Sequence, residues 1–149
     1  MINRYENFTV LISKINKNIK KIKNIEMADY NLRSPHVSIL YFLYVNESLT
    51  SKELCDKCEE DKGTISRSLD YLESNGFVNC FSKFTKRYNS PFILTKKGLE
   101  VGKIVAEKIN AVLDEVNFCL SEEERIHFYI YLTKISNGLE EITKKNIDN

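Results

Sequence analysis

The chain has 149 residues, 42% of them apolar and 29% charged, and a net charge of +1. This composition suits one globular domain, or a small domain with helical extensions, and it excludes a polycation. No apolar run approaches a membrane span, and the N-terminus alternates polar and apolar residues, unlike a signal peptide, so a cytoplasmic location without membrane association is expected.

A first helix is predicted over residues 5–27. Phe8, Ile12, Ile15, Ile19 and Ile22 recur at steps of four and three, a heptad seam on one face. Lys14, Lys17, Lys20, Lys21 and Lys23 fall on the other faces and are expected in solvent. A second helix opens at Ser34 as N-cap with Pro35 at the first helical position. Val37, Leu40, Tyr41 and Tyr44 follow the spacing of a buried stripe, widened by Ile39 and Leu43.

Leu49 and Thr50 form a short extended piece. Thr50 and Glu53 then make a capping box for a helix ending near residue 59. Asp61 caps the next helix, which runs to residue 75, and Gly76 stops it. Ile65, Leu69 and Leu72 share one face of this helix. Arg67 lies almost opposite, flanked by Gly63, Thr64, Asp70 and Tyr71. A small, polar outward face with an arginine at its centre suits entry into a DNA major groove, and the positive end of the helix dipole favours phosphate.

Residues 77–81 and 92–94 are β-prone. The loop between them carries Lys83, Lys86 and Arg87, and there is no acid from Ser74 to Leu99. A hairpin with a long basic tip is expected, its cations able to reach phosphates or a minor groove. Thr95 caps a long helix over residues 96–118, with Val101, Val105, Ile109, Val112 and Val116 in a stripe. Ser121 and Glu124 form a second capping box, and a last helix runs to about residue 144 with Phe128, Leu132, Ile135, Leu139 and Ile142 in register. Such long terminal seams exceed what a small monomer can bury, so an isologous homodimer built from both chain ends is expected.

The fold class is therefore mainly α with a small β-wing: a winged helix-turn-helix with N- and C-terminal dimerisation helices. Residues 34–97 form the DNA-binding lobe, and residues 1–33 and 98–149 the helical dimerisation region.

In order and separation, several pieces resemble the multiple-antibiotic-resistance regulator (MarR) family over residues 34–142. They are Leu40-Tyr41-Phe42-Leu43, the opening Leu49-Thr50 with Glu53-Leu54, and Thr64-Ile65-Ser66-Arg67 with Leu69-Asp70, Leu72-Glu73 and Gly76-Phe77-Val78. Leu94-Thr95 with Gly98 completes the set. The resemblance implies a cytoplasmic bacterial homodimer that straddles a palindromic operator in double-stranded DNA, acting as a repressor relieved by a small-molecule effector. It places Lys62, Thr64, Ser66 and Arg67 against DNA, and Thr50 and Ser51 against phosphate. The family carries Asp-x-Arg in the wing. Here Thr85-Lys86-Arg87 stands there, so the acid that orients the arginine is missing. The family's effector pocket implies Tyr30, His36 and Tyr41 as candidates, with Phe42 nearby.

The four cysteines, Cys55, Cys58, Cys80 and Cys119, are expected reduced in a cytosolic chain. Cys55 and Cys58 have the gap of a redox pair or half a zinc site, which leaves a thiol- or metal-responsive regulator as an alternative. No further Cys or His lies at ligand spacing, so both read as small core residues and no metal or cofactor is expected. Cys80 and Cys119 are expected to be structural. No nucleophile–base motif or Gly-rich phosphate loop is present, which argues against an enzyme and leaves no catalytic candidates. A winged-helix protein-interaction module without DNA binding is the remaining alternative.

Overall fold

The computed structural model describes residues 3–81 and 89–147. It divides into two compact units, which meet in sequence at Lys108 and Ile109.

In the first unit a loosely wound helical stretch, Glu6–Val10, runs into α1 (Leu11–Glu26). A short turn, Ala28–Tyr30, leads to α2 (Ser34–Asn46), β1 (Ser48–Thr50), α3 (Ser51–Cys58) and α4 (Lys62–Ser74). β2 (Val78–Cys80) and β3 (Pro91–Leu94) follow, and then α5 (Lys96–Asn117), which extends into the second unit. The three strands form an antiparallel sheet with β3 in the middle. Phe92 pairs with Leu49 on one side and with Cys80 on the other. Pro91 is tolerated in this central strand because it is the first residue, where a missing N–H breaks no interior ladder bond.

The core lies between Met27 and Val105. Leu40, Leu54, Ile65, Leu72 and Phe92 are fully excluded from solvent. Each helix start and stop has a local cause. Thr50 Oγ1 accepts the Glu53 amide at 3.2 Å, and the Glu53 carboxylate accepts the Thr50 amide at 2.7 Å, which completes the expected capping box. At the end of α4, Gly76 takes φ +75. The Phe77 amide then reaches the Leu72 carbonyl at 2.8 Å and the Gly76 amide reaches Glu73 at 3.0 Å, a Schellman closure. Thr95 Oγ1 accepts the Gly98 amide at 3.0 Å and donates to the Gly76 carbonyl at 2.6 Å, tying the start of α5 to the end of α4. Lys97 donates to the Asn75 carbonyl at 2.9 Å and lies over the Phe77 ring, reinforcing the same junction.

Two expectations are corrected here. The N-cap of α2 is Arg33, not Ser34, and Pro35 stands at the second helical position. The cause is partly non-local. The Ser34 amide donates to Asn24 Oδ1 of α1 at 2.7 Å, while the Arg33 amide donates to His36 Nδ1 at 3.1 Å. Lys23 is not a solvated lysine either. Its amine donates to Ser38 Oγ at 2.8 Å, and burial lowers its pKa.

In the second unit the Ser121–Glu124 capping box opens α6 (Glu122–Ile147), with bonds of 2.7 and 3.2 Å. Three glutamates in its first turn and two lysines in its last complement the helix dipole. Its seam, Phe128, Leu132, Ile135, Leu139 and Ile142, is exposed within the single chain. The same holds in the first unit for Phe8, Ile12, Ile15 and Ile19.

Candidate nucleic-acid interface

The α4 helix is seated by Ile65, Leu69 and Leu72, all essentially buried, against α2, α3 and β2. Its other side is therefore held outward. Lys62, Ser66 and Arg67 are exposed there, and Thr64 is half-buried. Asp61 caps the helix: Oδ1 accepts the Thr64 amide at 2.8 Å and Oδ2 accepts the Thr64 hydroxyl at 2.7 Å. Arg67 Nη2 lies 3.4 Å from the same Thr64 hydroxyl oxygen. The hydrogen bonds from Thr64, helped by the nearby Arg67 charge, hold the Asp61 carboxyl below its ordinary pKa. The N-terminal half of α4 thus presents a cation, a carboxylate and hydroxyls on one preorganised surface.

The predicted pair at the start of α3 divides. Thr50 is half-exposed, with its hydroxyl engaged in the capping box, whereas Ser51 is buried. Ser51, expected against phosphate, is thus mostly covered within the single chain. Lys83, Lys86 and Arg87 lie outside the described residues.

A cleft of about 840 Å³ opens between α4 and the junction of α1 and α2. Arg33, His36, Thr64, Arg67 and Tyr71 line it. Of the three effector candidates, His36 is in this cleft. Tyr30 and Tyr41 are not among its lining, and Tyr41 instead packs edge-on against Phe42. Tyr71, placed beside Arg67 on the outward face by the sequence, was not among the site candidates. Its ring stacks on His36 at 4.4 Å, and its hydroxyl donates to the Asn31 carbonyl at 2.7 Å. Its place four residues after Arg67 was the available signal. Burial, and then the Arg33 charge, lower the His36 pKa. This agrees with Nδ1 acting as an acceptor, since a protonated ring has only donors.

The two helical cysteines are poor thiolates. Burial, and then Asp56 and Asp61, raise the pKa of Cys55, and burial pushes Cys58 up to about 12. Among the described residues no group of three or more His, Cys, Asp or Glu is placed to hold a metal. Cys119, expected to be structural, is exposed instead, with its thiol donating to the Val116 carbonyl at the end of α5.

Comparison with known proteins gives a consistent picture. Residues 30–79 match the MarR family profile. The chain is 29% identical over 131 residues to the HTH-type transcriptional regulator SarZ of Staphylococcus aureus, spanning 88% of this chain and 82% of that protein. In fold it resembles NMB1585, a MarR family regulator from Neisseria meningitidis, with a TM-score of 0.82 at 19% identity over 97% of this chain and 99% of that one. It also resembles a Listeria monocytogenes MarR family regulator complexed with a 26mer DNA, with a TM-score of 0.82 at 21% identity over 90% and 89% of the two chains. The S. aureus MepR–DNA complex gives a TM-score of 0.79 at 19% identity over 92% and 99%.

Proposed function

We propose that this chain is a member of the MarR family of winged-helix regulators, not an enzyme, and that it is a homodimeric, sequence-specific DNA-binding repressor released by a small-molecule effector. The observation that carries the reading is α4. Its buried face is fully anchored, and its outward-facing N-terminal half displays Lys62, Thr64, Ser66 and Arg67. The positive end of the helix dipole adds to this surface. Two such helices, related by a dimer axis, would enter successive major grooves about 34 Å apart on a palindrome. Thr50 contributes at the start of α3, and Lys83, Lys86 and Arg87 contribute from the wing. Residues 34–97 serve as the DNA-binding lobe.

The homodimer is supported by the apolar seams of α1 and α6. Both lie open within the single chain, and both repeat at the spacing helices use to pair. The effector reading is supported by the cleft beside α4, because a molecule seated on His36 and Tyr71 would touch the helix that reads DNA. Cytoplasmic residence follows from the proposed target, and no described helix is long and apolar enough to cross a membrane. The raised pKa values of Cys55 and Cys58 argue against a thiol sensor at this place.

The test is a titration of the purified protein against its own upstream DNA at two salt concentrations, beside Arg67→Ala. Wild-type binding is expected to weaken steeply with salt. The variant is expected to lose about 1–3 kcal/mol of affinity. Salt-independent binding, or an unaffected variant, would remove α4 from the interface. Sedimentation equilibrium tests the dimer directly.

A further inference from the structure

The Thr64 hydroxyl is not free to rotate. Its proton goes to Asp61 Oδ2 at 2.7 Å, while Asp61 Oδ1 takes the Thr64 amide at 2.8 Å. Both carboxylate oxygens thus accept from Thr64, and the Gly63 amide adds a further bond to the same carboxylate. Arg67 folds back over Gly63 toward the same pair. A Cβ at position 63 would stand 3.1 Å from both Arg67 Nη1 and Asp61 Oδ1, so the glycine leaves the room in which the three groups meet. The Thr64 oxygen accepts from Arg67 at a long 3.4 Å, which leaves its second lone pair open.

A hydroxyl normally serves as donor or acceptor, whichever its partner needs, and so discriminates little between base edges. We propose that Asp61 is a specificity-determining residue: by holding the Thr64 proton it makes Thr64 an acceptor-only group toward DNA. This rests on the reading of α4 as the recognition helix. Adenine N6 and cytosine N4 are the amino donors of the major groove, whereas guanine O6 and N7 and thymine O4 are acceptors. Thr64 then favours a base with an exocyclic amine at the position it faces, although Asp61 touches no base.

Asp61→Asn separates this role from capping. Asparagine caps as well as aspartate, and its Oδ1 still accepts the Thr64 amide. Its Nδ2, however, donates to the Thr64 oxygen, so the hydroxyl proton turns outward and Thr64 becomes a donor. The experiment uses the full-length protein and a duplex library randomised over a half-site, sequenced before and after one round of binding. Wild type, Asp61→Asn, Thr64→Val and the double variant are compared, with melting temperatures as a check on the cap.

At one position per half-site the wild type is expected to favour adenine or cytosine about fivefold, the worth of one neutral hydrogen bond. Asp61→Asn is expected to lose or invert that preference. Thr64→Val is expected to lose it too, and the double variant should match Thr64→Val there. If Asp61→Asn keeps the wild-type preference at every position, even with a uniform gain in affinity from the lost charge, the proposal is overturned. Retention of the preference in Thr64→Val overturns it independently of how Asp61→Asn folds. A wild type that enriches no sequence refutes the DNA-reading function itself, and this inference falls with it.

Discussion

Replacing Gly98 by alanine tests whether the junction of α4, β2 and α5 is as rigid as its hydrogen bonds indicate. A Cβ at Gly98 would lie 1.9 Å from the Phe77 carbonyl oxygen and 2.9 Å from its carbonyl carbon. A carbon needs about 3.3 Å from such an oxygen, so the helix and the strand must part by more than an ångström. The atom in the way is backbone and cannot swing aside. The same carbonyl accepts the Thr95 amide at 3.0 Å, and the Thr95 hydroxyl bonds Gly76 at 2.6 Å. Separation of that size breaks both bonds, at about 1 kcal/mol each. Overpacking adds about 1–3 kcal/mol, and the better helix propensity of alanine offsets about 1 kcal/mol. The net expectation is a loss of about 2–4 kcal/mol. Urea unfolding followed by far-UV circular dichroism at fixed protein concentration should show the midpoint fall by roughly 1–2 M. A midpoint equal to that of wild type would refute the reasoning, because the junction would then be yielding.

Three further outcomes follow from the same structure. Gly138 has nothing within 4 Å of an added Cβ, so Gly138→Ala should raise stability by up to about 1 kcal/mol in the same urea assay. The His36 pKa is lowered from 6.5, so the unfolded chain takes up the proton first: its contribution is complete above about pH 6.5 and is lost as pH falls toward the folded pKa. His36→Gln keeps an acceptor for the Arg33 amide and cannot titrate, so unfolding midpoints between pH 7 and 5 should fall less in the variant than in wild type. With a disulfide reagent at pH 8, exposed Cys119 should react in the native protein, whereas Cys58, with its thiol pushed up to about 12, should react only on unfolding. Equal rates at the two sites would remove the burial argument.

Much of the candidate interface was legible in the residues. The Asp61 cap, the Gly76 stop and the Ile65, Leu69, Leu72 face together orient α4, and each rule acts within a few positions of chain. Lys83, Lys86 and Arg87 were named from a run without acids and lie outside the described residues. Ser51 was not legible, because its burial depends on how the first turn of α3 meets the rest of the lobe.

The sequence by itself determined the element order, both capping boxes, the three-stranded sheet's β-prone runs and the outward polar face of α4. These follow from hydrogen bonds and side-chain periodicity between residues three or four apart, which any short stretch displays. The tertiary structure alone decided where distant segments take over local roles. Asn24 captures the Ser34 amide and moves the cap of α2 to Arg33. Lys23 leaves solvent for Ser38, 15 positions away. Tyr71 reaches back 40 positions to Asn31 and covers His36. No helical or strand period encodes such pairs. They arise because packing around the Met27–Val105 core brings the end of α1, the start of α2 and α4 together, and polar groups at that junction then bond to whatever partner the packing supplies.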